Sequence, residues 1–110
     1  MDLAALQDQH AVWVNKNFPN QNPLDGFLGV VEEVGEMSHA ILKRSQGIRG
    51  DEEMHDAAIE DAIGDIVIFL ASYCNTNRIS LDRCVSKAWA EVIQRDWINH
   101  KNTGVANGAI

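Results

Sequence analysis

Apolar and polar positions along the chain follow helical rather than strand periodicity. Phe27, Val30, Val31, Val34, Met37 and Ile41 recur at i, i+3, i+4 and i+7, the spacing of one helix face. This predicts a helix from about Pro23 or Leu24 to about Gln46, with that face on the core. Gly47 is its expected stop, and Lys43 and Arg44 suit the negative end of the helix dipole. Leu3, Leu6, Trp13 and Val14 form a partial apolar side, which predicts an earlier helix from about Leu3 to Phe18. The stretch NFPNQNP breaks it, with two prolines and three asparagines.

Beyond GIRGDEE, a polar loop leading into an acidic turn, a third helix is expected from about Asp51 to Asn75 or Asn77. Asp51, Glu52 and Glu53 favour its N-terminus. From Ala57 onward it is apolar nearly all round, which marks it as the central buried helix. Ser80 is a good N-cap for a fourth, with Asp82 in the first turn. Its expected core stripe is Leu81, Cys84, Val85, Ala88, Trp89, Val92 and Ile93, and its expected end lies near Trp97–His100. The last stretch, TGVANGAI, has no periodicity; about 103–110 is expected to be a mobile tail. No segment reads as a strand. The expectation is an all-α, four-helix up-down arrangement, forming one domain over residues 1–110.

Length and charge narrow the class. A chain of 110 residues fits a single domain. A formal net charge of -7 argues against a nucleic acid polymer as partner. No stretch of about 18 apolar residues is present, so no membrane span is expected. MDLAALQDQH lacks the basic start and apolar run of a signal peptide, so a cytoplasmic address is expected. Cys74 and Cys84 read as reduced core thiols. His10, His39, His55 and His100 are scattered and read as surface or rim residues.

The candidate chemistry lies in the acids. At about 100° per residue, Glu32, Glu33, Glu36 and Lys43 fall opposite Val34 and Ile41. Alone, that describes a solvated face. Yet Gly26, Gly29 and Ala40 share it, and an exposed helical glycine costs roughly 1 kcal/mol relative to alanine. Such glycines make sense where something approaches closely. In the third helix, Asp61 and Asp65 stand one turn apart in an otherwise apolar segment. Aspartates are rarely buried without a partner. Glu33, Glu36, Asp61 and Asp65 converging across a helix pair would repel unless a cation sat among them. An all-oxygen set suits Mg²⁺ or Mn²⁺ rather than zinc.

The motif EEVGE (Glu32–Glu36), followed by DAIGD (Asp61–Asp65), resembles the all-α nucleotide pyrophosphohydrolases of the MazG type. Their pattern is E-E-x-x-E, then E-x-x-D. The resemblance extends to the NFP break, AILKRSQGIRG, GDIVIFLASYCN and WAEVIQRDW. It implies Mg²⁺-dependent hydrolysis of a nucleoside triphosphate to the monophosphate and pyrophosphate, in house-cleaning or control of the nucleotide pool. It also implies homodimers or dimer-based tetramers with a bundle core. The E-x-x-D glutamate falls on Ala62; Asp61, on the same face as Asp65, is expected to take its role.

On this reading Glu33, Glu36, Asp61 and Asp65 hold the main ion. Glu32 holds a second ion or acts as general base. Lys43 and Arg95 are the expected phosphate contacts, with Arg44 and Arg49 as further basic residues. His10, Trp13 and Asn75 are candidates for the base, although core packing is the stronger expectation for Trp13. Three rivals remain open: a nucleotide- or metal-binding helical oligomer that has lost turnover, a structural bundle with a solvated acidic face, and an enzyme like phosphoribosyl-ATP pyrophosphohydrolase.

Overall fold

The computed structural model describes residues 1–106, and among them the chain forms four helices and no strand. They are α1 (Leu3–Asn17), α2 (Asp25–Gln46), α3 (Glu52–Thr76) and α4 (Leu81–Val92). Among the described residues, no helix is long and apolar enough to cross a membrane. The ends are set by local chemistry. Asp2, Asp51 and Ser80 each accept a hydrogen bond from the backbone N–H three residues on, at 2.7, 2.8 and 3.2 Å, the usual N-cap arrangement. Gly47 closes α2 in the left-handed conformation at φ 68°, which glycine adopts without a Cβ penalty.

α2 and α3 form an antiparallel hairpin, and its register is visible in its contacts. Gly26 meets Tyr73, Gly29 meets Phe69, and at the far end Arg44 pairs with Asp56 at 2.7 Å and Glu52 at 3.5 Å. These exposed ion pairs contribute at most about 1 kcal/mol each. The glycines matter more. A Cβ on Gly26 would lie 2.5 Å from the Tyr73 backbone nitrogen and 2.9 Å from the Phe69 carbonyl oxygen. A Cβ on Gly29 would overlap the Phe69 ring. The expected close approach on the glutamate face is therefore the approach of α3.

This reverses the expected orientation of α2. Gly26, Glu33 and Ala40 are buried, while Phe27, Val31, Val34 and Ile41 are about half exposed. Val30 and Met37 lie between these extremes. The small residues permit the closer backbone contact, so the hairpin closes on them and leaves the apolar stripe outside. α3 is central, packing against the other three helices, but it is not buried all round: Ile63 is 49% exposed and Ile68 40%.

The core of the single chain is small. Ala71, Cys74 and Leu81 form it, flanked by Leu3, Leu6 and Val67. Gln7 ties α1 to this region: its Nε2 donates to Asn75 Oδ1 at 3.0 Å and to the Ile79 carbonyl at 2.9 Å, while its Oε1 accepts from Leu81 N at 2.8 Å. α4 departs from expectation twice. It stops at Val92 rather than near Trp97–His100. Asp96 takes over there, its carboxylate accepting from the backbone N–H of Ile98 and Asn99, each at 3.1 Å. Such local side-chain bonds compete with helix continuation. Its apolar stripe is also largely uncovered: Leu81 is buried, but Val85, Trp89, Val92 and Ile93 are exposed.

Cys74 is a buried free thiol as expected, but Cys84 is exposed. His10 and His55 are buried rather than at the rim; His55 Nε2 lies 2.9 Å from the Ile48 carbonyl oxygen. In the expected tail, Gly104 N donates to the His100 carbonyl at 2.8 Å and Asp96 N donates to the Gly104 carbonyl at 2.7 Å. The rest of that expectation, 107–110, lies outside the described residues.

Candidate metal centre and adjoining groove

Helix geometry gathers the first three acids without help from the rest of the fold. Glu33 and Glu36 are three residues apart, Glu32 and Glu36 four, so their side chains share one region of the α2 surface. One carboxylate oxygen from each lies within 4.8 Å of the others. Glu32 and Glu36 are exposed, whereas Glu33 is 8% exposed and faces the hairpin interface. Burial pushes the Glu33 carboxyl above the ordinary carboxylate range. The Glu36 charge, a hydrogen bond with Glu36, and the charges of Asp65 and Glu32 push it further in the same direction. A buried carboxylate crowded by three others, with no cation paired to it among the described residues, is the donor set that a hard divalent ion would satisfy.

Asp65 of α3 stands outside the set of three glutamates, but it lines the same groove as Glu33 and its charge acts on Glu33. Asp61 does not. It is exposed and stands outside both the glutamate cluster and the groove. Ala62, where the resembling pattern has glutamate, is buried at 3% exposure. The position that faces into the packing thus carries a methyl group, and the acid one residue earlier is turned to solvent.

The groove beside the acids has a volume of about 670 Å³, within the range of small-molecule sites. Its walls are mostly apolar, with Trp13, Phe18, Ile68 and Phe69 contributing rings and branched side chains. Trp13 is about half exposed, and its ring centroid lies 5.8 Å from those of both His10 and Phe18. Trp13 is therefore not a core residue, and it presents an aromatic surface to the groove. His10 is 8% exposed, its Nδ1 has no partner among the described residues, and burial lowers its pKa.

The other candidates are placed elsewhere. Asn75 donates to the Gln7 carbonyl at 2.9 Å and accepts from Gln7 Nε2; its amide is engaged in joining α1 to α3. Lys43 Nζ donates to Gln46 Oε1 at 3.0 Å. Arg44 is committed to Asp56 and Glu52. Arg49 holds a left-handed backbone at φ 61° in the α2–α3 loop. Arg95 lies 5.8 Å over the Trp97 ring, beyond α4. None of these cations lines the groove that holds Glu33 and Asp65.

Two groove residues escaped sequence reasoning. Gln21 sits in NFPNQNP, which reads only as a helix break, and Ser72 hides in the apolar run FLASYC. Gln21 Nε2 donates to Ser72 Oγ at 2.8 Å. Only the fold brings these positions together. Searches against protein-family models, curated proteins and solved structures gave no match to this chain.

Proposed function

We propose that this chain is a Mg²⁺-dependent nucleoside triphosphate pyrophosphohydrolase, releasing pyrophosphate and a (deoxy)nucleoside monophosphate. One observation carries the reading: the crowded carboxylates of α2 and Asp65 adjoin a groove with aromatic walls. A nucleotide has the matching halves, a polyanion that needs cations and a flat base that stacks on rings. The resemblance of EEVGE and DAIGD to the MazG-type motifs agrees with it. Glu33, Glu36 and Asp65 would hold the divalent ion, with Mn²⁺ as a substitute for Mg²⁺. When bound, the ion supplies neutralising charge for the triphosphate and lowers the pKa of water. Glu32, exposed beside the cluster, accepts the proton of the water that attacks phosphorus. The apolar groove wall holds the base and excludes bulk water from one side of the site.

A second reading, a nucleotide-binding protein with weakened turnover, draws on buried Ala62 and exposed Asp61. One experiment separates the two. Pyrophosphate and monophosphate are assayed across a panel of ribo- and deoxynucleoside triphosphates with Mg²⁺, for the wild type, Asp65→Asn and Asp61→Asn. The enzyme reading expects turnover of at least one substrate, a loss of about 100-fold or more in Asp65→Asn, and a much smaller loss in Asp61→Asn. Release of orthophosphate and the diphosphate would reject the cleavage position. Saturable nucleotide binding without turnover would favour the second reading.

Assembly with further copies of the chain belongs to the same proposal. The accessible surface is 8329 Å², against about 6,100 Å² for a compact monomer of this mass. The radius of gyration is 18.0 Å, against about 13 Å. The excess, on the order of 2,000 Å² per chain, matches what an obligate interface buries. The uncovered apolar stripes of α2 and α4 would supply it, giving a homodimer or homotetramer with a helical-bundle core.

A further inference from the structure

The turn from α3 into α4 gathers positive charge in a chain whose formal net charge is -7. A cavity of about 560 Å³ there is lined by Arg78, Ser80, Arg83 and Lys87, together with Ile79 and Cys84. Three of the chain's nine lysines and arginines therefore border one space. No carboxylate lines it; Asp82 and Glu91, the acids of α4, stand outside. Among the described residues the ion pairs are those of Arg44, and Arg78, Arg83 and Lys87 make none. Cations gathered without an acid among them repel one another, and a bound anion reverses that sign.

Local structure sets this arrangement. Arg83 and Lys87 are four residues apart, so α4 stacks them on one face. Arg78 follows Asn77, the C-cap of α3, and holds a left-handed backbone at φ 57°, a conformation in which glycine avoids the Cβ penalty. The first N–H groups of α4 do not supply the positive character, because most already have acceptors. Leu81 N donates to Gln7 Oε1, Arg83 N to Ser80 Oγ and Cys84 N to the Ser80 carbonyl. At about 100° per residue, Arg83 and Lys87 fall opposite Val85, Trp89 and Val92. Assembly through that apolar stripe would leave the cavity open. The cavity shares no residue with the groove of Glu33 and Asp65.

We propose that this cavity is a second ligand site, for a small anion of the pyrophosphate or oligophosphate class. The guanidinium forks of Arg78 and Arg83 match pairs of phosphate oxygens, and Lys87 adds a point charge. Ser80 Oγ accepts from Arg83 N and keeps its own hydrogen to donate to an anion. Three cations favour a ligand with two or more charges, and the volume admits a small molecule. The acidic surface elsewhere repels a nucleic acid polymer. The proposal is independent of the reaction assigned to the acids of α2.

The test is binding of inorganic pyrophosphate to the full chain by calorimetry, with EDTA present so that no divalent ion bridges it to the α2 glutamates. The expected result is one saturable site per chain that weakens with added salt. Arg83→Gln and Lys87→Gln should each lower the affinity about 10-fold or more. Lys16→Gln, which removes the same charge from α1, should leave it unchanged. Arg78→Gly relieves the left-handed backbone, so it should bind more weakly yet melt no lower than the wild type; a purely structural role for Arg78 has the opposite signature. Cys84 is exposed in the same cavity while Cys74 is buried, so it reports occupancy. Saturating pyrophosphate should slow alkylation of Cys84 by iodoacetamide, followed by mass spectrometry. Absence of saturable binding would overturn the proposal. So would equal losses in Lys16→Gln and Arg83→Gln, or alkylation of Cys84 at an unchanged rate. Turnover of nucleoside triphosphates with Mg²⁺ is scored separately, and neither result decides the other.

Discussion

Glu33 is the residue on which the candidate metal centre turns. Buried and surrounded by Glu36, Asp65 and Glu32, it has a pKa above the carboxylate's ordinary 4.5. The folded state therefore holds its proton more tightly than the unfolded chain does. Without metal, its contribution is fully present below the unfolded pKa and is lost as pH rises through the raised folded value. The metal-free chain should accordingly lose stability on going from acid to neutral pH, in melts with EDTA. Glu33→Gln keeps the shape and removes the charge. It should flatten that decline and melt no lower than wild type at neutral pH. Divalent metal opposes the same repulsion. At 100 times its Kd it should stabilise the wild type by about 2.7 kcal/mol, a shift of roughly 10 °C or more in Tm. Glu33→Gln should lose most of that shift across a Mg²⁺ titration at constant ionic strength. A flat wild-type titration would remove the metal site.

At the scale of the elements, the α2–α3 hairpin is closed by glycine rather than by large apolar side chains. The consequence is a contrast between two substitutions in one helix. A Cβ on Gly26 meets backbone atoms of Tyr73 and Phe69 that cannot move aside separately from α3. Gly26→Ala should thus destabilise by about 1–3 kcal/mol, although alanine is the better helix former. Gly35 has nothing within 4 Å of its Cβ position. Gly35→Ala should stabilise by about 0.5–1 kcal/mol through helix propensity. Urea denaturation of both variants checks the pair, and destabilisation by both would mean that something besides α3 lies against α2. Displacing α2 from α3 would also separate Glu33 from Asp65, so Gly26→Ala should weaken Mg²⁺ binding in parallel.

For the whole molecule, the exposed stripes outweigh the small core around Ala71, Cys74 and Leu81. Phe27, Val31, Val34 and Ile41 on α2, with Val85, Trp89 and Val92 on α4, are too many large apolar groups for one solvated chain of this size. Analytical ultracentrifugation should give an integral multiple, two or four, of 12.2 kDa. Ile41 is 48% exposed in the single chain, so Ile41→Glu should cost little in a monomer. In an assembly it buries a charge and should shift the distribution to smaller species, with a fall in Tm that depends on protein concentration. A wild type that sediments at 12.2 kDa at all concentrations would overturn the proposed assembly.

The four helices were legible in the chain because their signals are local. Proline and asparagine in NFPNQNP, Gly47, and the caps Asp51 and Ser80 act within a few residues of themselves. The gathering of Glu32, Glu33 and Glu36 was legible for the same reason, since helical pitch alone brings them together. The end of α4 was not, because Asp96 turns the chain through its own side chain where apolar periodicity still continues. Periodicity also identifies which residues share a face without saying what covers it. Only tertiary packing decided that α2 meets α3 through Gly26, Gly29 and Glu33 and leaves its apolar stripe outward. The same packing turned Asp61 to solvent while keeping Asp65 beside Glu33, a difference that one helical face could not reveal. Gln21 and Ser72, 51 positions apart, carried no local signal at all. Their hydrogen bond exists only once the loop after α1 lies against α3.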